Sequence, residues 1–361
     1  MANNNKHTGP NVPALRFPEF SGEWETKCLG DISENISSGK TKSTTTGGKY
    51  VLIGSTGVIG NTSNADYSGN LILVARVGAN AGLINYYSGD CGITDNTLII
   101  KPLEQEKNFC HYVYHYLKHC NLNQFVFGSG QPLITGGMLK RLPIRYGTID
   151  ETNKLSSLFD MLDARIEAQS KIIEEQETLL RSLRHKIYSR VQAESQCTIA
   201  DVLCYEQPTK YLVTDTDYTD DDSQVPVLTA NKAFILGYTT ENFGIYDKGP
   251  CIILDDFTLD CKYVDFKFKV KSSAIKILRA KAKTNLRFIF EYFRFLELNT
   301  TEHKRHYIAE IEPMSILLPS NEEIDRIARL FTALDERLEA ARKELKILES
   351  QKMYMLQKMF I

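Results

Sequence analysis

The sequence predicts an α+β fold of two pseudo-repeated β-rich units, each followed by a long α-helix, with the two helices pairing as an intramolecular antiparallel coiled coil. Three observations predict it. One stretch occurs twice, both copies carry a heptad pattern, and the regions before the copies match each other more faintly.

The duplicated stretch comes first. Residues 151–188 align with residues 323–360 at a shift of 172, without a gap, and 11 of the 38 positions are identical. They include Leu158/Leu330, Phe159/Phe331, Leu162/Leu334, Asp163/Asp335, Arg165/Arg337, Glu167/Glu339, Ala168/Ala340 and Lys171/Lys343. In the first copy Leu155, Phe159, Leu162, Ile166, Gln169, Ile173, Gln176, Leu180, Leu183 and Ile187 follow one another in alternating steps of four and three. Ile327, Phe331, Leu334, Leu338, Ala341, Leu345, Leu348, Lys352, Met355 and Met359 repeat those steps in the second. Such spacing lays an apolar seam along one side of a helix. The intervening Glu, Lys, Arg and Gln are good helix formers, and neither stretch contains Pro or Gly. Each helix of about 38 residues would run about 57 Å at the α-helical rise.

A helix of that length with one apolar stripe needs a partner. The other copy, paired antiparallel within the chain, is at high effective concentration. A parallel homodimer through each seam is the alternative. Gln169, Gln176 and Lys352 interrupt the seam, as polar residues do where register must be set.

The fainter matches lie upstream. Residues 51–53 and 59–61 resemble 227–229 and 236–238, residues 68–73 resemble 248–253, and residues 96–100 resemble 273–277. Each half then has an aromatic, helix-like stretch, at 109–117 and 288–296, and an apolar run ending in Pro143 or Pro319. Val, Ile, Thr, Tyr and Phe broken by Gly and Asn predict short strands with tight turns. The expected limits are a disordered tail at 1–12, a first β-rich unit at 13–149, a helix at 150–192, a second unit at 193–319 and a second helix at 320–361.

Composition excludes several classes. No run approaches the ~20 apolar residues of a membrane span, and nothing reads as a signal peptide. The eight cysteines form no CxxC pair and have no metal-ligand spacing, so buried free thiols in a reducing cytoplasm are expected, and no metal site. The net charge is −2, but it is unevenly spread. Residues 194–261 hold 3 Lys/Arg against 13 Asp/Glu, and residues 262–305 hold 12 against 4. A neutral whole can thus present a basic face, although solvated loops and strand faces would show the same counts.

Catalytic signatures fail on inspection. Ser38-Gly39-Lys40-Thr41 resembles the end of a phosphate-binding loop, but position 34, where that loop needs glycine, is Glu34. The glycine-rich stretch 76–82 lacks the dinucleotide fingerprint, and Phe127-Gly128-Ser129-Gly130 runs into Gln131-Pro132 rather than into a helix start. No base-side methyltransferase motif accompanies it. His111, His115 and His119 share a helical face, and without a further ligand they read as exposed histidines of an amphipathic helix. Asp255-Asp256 follows an apolar run, as catalytic acids sometimes do, but the pair is not shared between the halves.

Pro13-Ala14-Leu15-Arg16-Phe17-Pro18-Glu19-Phe20, followed by Trp24, Leu29 and Gly30, resembles the opening of specificity subunits of type I restriction-modification systems. Residues 131–135, 255–258 and 271–274 also resemble stretches of that family, as does the alternation of β-rich units with two repeated helices. The resemblance covers nearly the whole chain from Pro13. It implies that each β-rich unit is a target recognition domain reading one half of a bipartite, asymmetric site in double-stranded DNA. It also implies that the helices separate the two readers and set the gap between half-sites. Two methyltransferase subunits would dock on the helical region and carry the S-adenosylmethionine chemistry at adenine N6. Restriction subunits would add ATP- and Mg-dependent cleavage. This chain would itself be non-catalytic, bind no cofactor, and work in the cytoplasm without a membrane.

Phosphates are met by Lys, Arg, Ser, Thr and backbone amides, and base edges by Arg, Asn and Gln. The first unit offers Lys40, Thr41, Lys42, Ser55, Thr56, Arg76, Asn80, Ser129 and Gln131 as DNA-binding candidates. The second offers Thr229, Asn231, Lys232, Lys267, Lys269, Lys304, Arg305 and His306. The competing reading is a non-DNA adaptor in which a coiled coil carries two β-rich interaction modules.

Overall fold

Two compact units make up the computed structural model: Met1–Ser170 with Glu344–Ile361, and Lys171–Lys343. Residues 11–42, 47–125, 133–229, 234–281, 284–298, 300 and 304–361 are described.

In the first unit the chain forms β1 (Glu25–Cys28), β2 (Ser33–Ser38), β3 (Tyr50–Gly54), β4 (Gly57–Thr62), β5 (Asn70–Ala75), β6 (Ile84–Ser88), β7 (Cys91–Ile93) and β8 (Thr97–Pro102). Helices α1 (Lys107–His119) and α2 (Gly136–Lys140), strand β9 (Pro143–Tyr146) and the long α3 (Ile149–Tyr188) follow. The second unit has β10 (Ser195–Thr198), α4 (Ile199–Val202), β11 (Leu203–Glu206), β12 (Val225–Leu228), β13 (Ile235–Thr239), β14 (Cys251–Asp255), β15 (Cys261–Val264), β16 (Lys269–Val270) and β17 (Ile275–Ala280). It continues with α5 (Leu286–Leu296), β18 (Ser315–Leu318) and α6 (Asn321–Met359). Each long helix gives one part to each unit.

The sheets repeat strand for strand. The first unit has a four-stranded sheet β2-β8-β5-β6, a three-stranded sheet β4-β3-β7 and a two-stranded ribbon β1-β9. The second has β11-β17-β14-β15, β13-β12-β16 and β10-β18. A parallel strand pairing also recurs, as β3 with β7 and as β12 with β16. The faint matches upstream of the helices fall on equivalent strands, β3/β12, β4/β13, β5/β14 and β8/β17, but in β3/β12 and β8/β17 they are one residue out of register: strand pairing matches Leu52 with Val227 and Ile99 with Ile277.

The central strands show why these segments are continuous apolar runs rather than alternating ones. On β5, Ile72 and Val74 pack into the core under α1, while Leu71 and Leu73 pack with Ile53, Cys91 and Ile93 of the smaller sheet. On β14, Ile252 and Leu254 face the α5 side, and Cys251 and Ile253 face Leu228 and Val270. A strand with a core on both faces has no polar side to show.

Antiparallel helix pairing is visible inside each unit. In the first, Phe159 of α3 stacks on Phe360 just past α6, and Asp163 is bonded by Lys352. In the second, Glu177 accepts from Arg342 at 2.7 Å, and Tyr188 stacks on Phe331. In both, the position on α6 falls as that on α3 rises. Leu155, Phe159, Leu162, Leu180, Ile327, Phe331, Leu338, Leu348 and Met359 of the seam are buried. Ile166, Ile173, Leu183, Ile187, Leu334, Leu345 and Met355 are half-buried. Non-seam apolar residues such as Met161, Leu179, Ile347 and Met353 are exposed instead. Lys352 interrupts the seam without leaving a buried charge alone, because Asp163 answers it.

Several expectations need correcting. The first unit reaches back to Asn11, whose carbonyl accepts from the Trp24 amide at 2.8 Å, so residues 11 and 12 are not tail. All eight cysteines are free, but Cys28 and Cys204 are exposed, and only Cys91, Cys110 and Cys251 are fully buried. Burial pushes the Cys110 and Cys251 thiols up to about 12. Among the described residues no helix is long and apolar enough to cross a membrane.

Candidate nucleic-acid interface

Residues far apart in the first half gather at one end of the unit. Thr94 to Thr97, the turn between β7 and β8, acts as the organiser. Its neighbour Ile93 accepts from the Thr41 amide at 2.9 Å, and the Thr41 hydroxyl accepts from the Ile93 amide at 2.9 Å. The Thr94 amide donates to Ile53 at the end of β3, and the Arg76 amide donates to Asn96. Lys40 and Thr41, the β3–β4 turn with Ser55 and Thr56, and Arg76 are thereby drawn around one turn. Gly39 permits the close approach: a Cβ there would lie 2.3 Å from the carbonyl oxygens of Ile93 and Thr94. Lys40, Lys42, Thr56 and Asn80 are exposed, while Thr41, Ser55 and Arg76 are half-buried. Ser129 and Gln131 lie outside the described residues.

In the second unit, Lys267, Lys304 and Arg305 are exposed and Thr229 is half-buried at the end of β12. Lys304 pairs with Glu310 at 2.9 Å. Asn231 and Lys232 lie outside the described residues.

Two candidates of the second unit are withdrawn. Lys269 is fully buried on the short β16, where its ammonium pairs with Glu241, reaches the Phe243 carbonyl at 2.8 Å and lies 4.2 Å over the Phe243 ring. Burial opposes charge on Glu241, but the hydrogen bonds from Lys269, the Thr214 hydroxyl and the Thr214 and Asp215 amides together outweigh it and hold the carboxyl down at about 2. His306 is buried too, with its Nδ1 2.8 Å from Glu310 and its amide on Asp256. Neither side chain is available to a phosphate.

The paired carboxylates are structural. Asp255 caps the turn after β14, accepting from the amides of Phe257 and Thr258 at 2.9 Å each. Asp256 accepts from the amides of His306 and Tyr307 and lies 3.4 Å from Lys276. Strand register sets Asp255 against Ile275 as it sets Ala75 against Thr97, so Asp256 occupies the place of Arg76. The two units thus put opposite charges at one equivalent position.

Sequence reasoning passed over a further feature of the same hairpins. Val58 and Ile59 on β4 stand in solvent at 67% and 50% exposure, and Ile235 on the equivalent β13 is exposed as well. The signal was present in Gly57-Val58-Ile59-Gly60, an apolar pair between glycines with no core-facing alternation.

The histidine helix also differs from expectation. His115 is buried and His111 and His119 are half-buried, so none of the three is exposed. His111 Nδ1 and His115 Nε2 both lie within 2.8 Å of Asp160 on α3. Burial opposes charge on Asp160, but the two imidazoles outweigh it and hold the carboxyl well below its usual range.

The opening segment is fastened to the same unit. Arg16 grips Glu151, in the first turn of α3, through two bonds of 2.7 Å, and Leu15 donates to the Lys358 carbonyl. Lys154 pairs with Glu19 and lies 4.6 Å over the Phe17 ring.

A type I restriction modification DNA specificity domain matches residues 21–178, the span of these first-unit features. Residues 21–178 are thus similar to the DNA specificity domain of type I restriction-modification systems. It is 43% identical over 158 residues to the Escherichia coli type I restriction enzyme EcoR124I/EcoR124II specificity subunit, a match covering 39% of this chain and 39% of that protein. The Escherichia coli EcoprrI specificity subunit is 24% identical over 159 residues, covering 41% of this chain and 38% of that one. The matched region therefore spans about two fifths of the length of these curated relatives. The fold of the chain is also similar to that of the type I restriction-modification S subunit from M. genitalium, with a TM-score of 0.73 over 97% of this chain and 99% of that one at 16% identity.

Proposed function

We propose that this chain is the DNA-reading subunit of a type I restriction-modification complex, with each β-rich unit reading one half of a bipartite, asymmetric duplex site. The observation that carries this reading is one strand order used twice with different loop chemistry, Arg76 in one unit and the buried Asp256 in the other. A scaffold that repeats while its loops diverge suits two readers of different sequences. Lys40, Lys42 and Arg76 would meet phosphates or guanine edges, and Thr56 and Asn80 would meet phosphates or adenine. The exposed Val58 and Ile59 suit thymine methyls or an opened base step. In the second unit Lys267, Lys304 and Arg305 take the phosphate role.

The remaining parts of the proposal concern partners. Two methyltransferase subunits dock on the helical region and supply S-adenosylmethionine chemistry at adenine N6, and restriction subunits supply ATP- and Mg-dependent cleavage. The chain itself is non-catalytic, binds none of these cofactors and acts in the cytoplasm. Methylome sequencing of cells with and without the gene tests the reading. A bipartite adenine-methylated motif that disappears with the gene is expected. An unchanged methylome, together with retention of a protein partner by the chain in the absence of DNA, would favour the adaptor reading.

A further inference from the structure

The cluster on α1 and α3 is the strongest unassigned feature of the first unit. His111 and His115 stand one turn apart on α1 and aim one nitrogen each at the same carboxylate, Asp160. One ligand atom from each of the three residues lies within 4.8 Å of the others. We propose that His111 Nδ1, His115 Nε2 and an Asp160 oxygen form a binding site for a zinc-class transition-metal ion, which clasps the recognition unit to the long helix.

Three observations carry the proposal. Two imidazoles and one carboxylate are the donors of zinc and its transition-metal neighbours, whereas magnesium and calcium take oxygen. The second concerns the far nitrogens of both rings, His111 Nε2 and His115 Nδ1, which have no hydrogen-bond partner among the described residues. Metal on the near nitrogens moves each ring proton to the far one, and His115 Nδ1 then points at Asp163, whose oxygen is 4.0 Å away. A carboxylate behind a metal-bound histidine is the usual way such a ring is oriented.

The third observation is a comparison with the other unit. There the junction of α5 with the long helices is closed by guanidinium groups: Arg184 and Arg287 both meet Glu291, and Arg287 also meets Asp335, the repeat counterpart of Asp163. The first unit has imidazole rings where the second has these guanidinium groups. Of the two carboxylates, Lys118 and Lys352 pair with Asp163, at the edge of the cluster, and leave Asp160 to the histidines. With His115 buried and Asp160 one-third exposed, the ion has a way in along the carboxylate side. Three protein donors leave a fourth position for water.

The test uses the full chain, stripped with chelator and titrated with zinc chloride and, in parallel, cobalt(II). One ion per chain is expected, with a higher melting temperature in zinc and a cobalt absorption free of thiolate bands. His111→Ala and the near-isosteric Asp160→Asn should lose at least tenfold in affinity and lose the zinc-dependent melting shift, while their circular dichroism without metal matches that of the parent. The proposal is overturned if the folded chain takes up no zinc at micromolar concentration. It is overturned equally if both variants bind as the parent does, or if the cobalt spectrum reports thiolate ligation.

Discussion

Phe159 stacks on Phe360 with ring centroids 5.2 Å apart and planes 22° from parallel, and a shift of 172 residues carries Phe159 to Phe331 and Tyr188 to Phe360. The exchanged pair, Phe331 and Tyr188, stacks at 6.4 Å and 24°. Each unit therefore closes its helix pair with the same two sequence positions, taken from opposite helices. Both phenylalanines of the repeated motif are fully buried. Phe159→Ala and Phe331→Ala should each cost about 3–5 kcal/mol, as large-to-small core changes do. Denaturant unfolding followed by a probe in each unit checks this, and each variant should weaken its own unit first.

Glu291 ties α5 to α3 in the second unit. It accepts from Arg184 of α3 at 2.8 Å and from Arg287 of its own helix at 2.7 Å, and its side chain is fully buried. Glu291→Ala strands the buried Arg184 guanidinium, while Arg287 keeps Asp335, and breaking a buried pair by removing one partner costs about 3–5 kcal/mol. Asp335→Asn removes a more exposed partner and should cost less. Equilibrium denaturation of the two variants measures the order.

The Lys269–Glu241 pair gives the second unit an acid sensitivity. The folded carboxyl sits at about 2 against an ordinary 4.5, so its contribution is fully present above pH 4.5 and is lost as pH falls toward 2. Glu241→Gln should be less stable than the parent at neutral pH, and the gap should narrow between pH 4.5 and 2. Melting temperatures of both proteins across that range provide the readout.

If the paired helices set the gap between half-sites, one heptad added to a single helix should shift or abolish the recognised spacing. Methylation mapping of the complex carrying the insertion reports it, and an unchanged spacer would rule the helices out as a ruler.

The long helices were legible because heptad spacing is local and period 3.5 has few competing readings. The strands of each unit were legible mainly by comparison with the other half. Val51 to Ile53 and Val227 to Thr229 are ambiguous alone, and their likeness finds the equivalent strands but misses the register by one residue, since Leu52 matches Val227. Side-chain direction was not legible. Lys267 and Lys269 lie on one short stretch, yet one is exposed and the other buried, a matter decided by strand pairing with Val227. The Asp160 partner of His111 and His115 was hidden for a related reason. It lies 45 residues beyond His115 on another helix, and no spacing rule connects the two.

The central claim is that each β-rich unit reads its own half of the DNA site. Exchanging residues 13–149 for the equivalent unit of a relative, then mapping methylation by the reassembled complex, tests it most directly. One half of the methylated sequence should change to that of the donor while the other half and the spacing stay as they were. A sequence unaltered by the exchange, or altered in both halves, would contradict the claim.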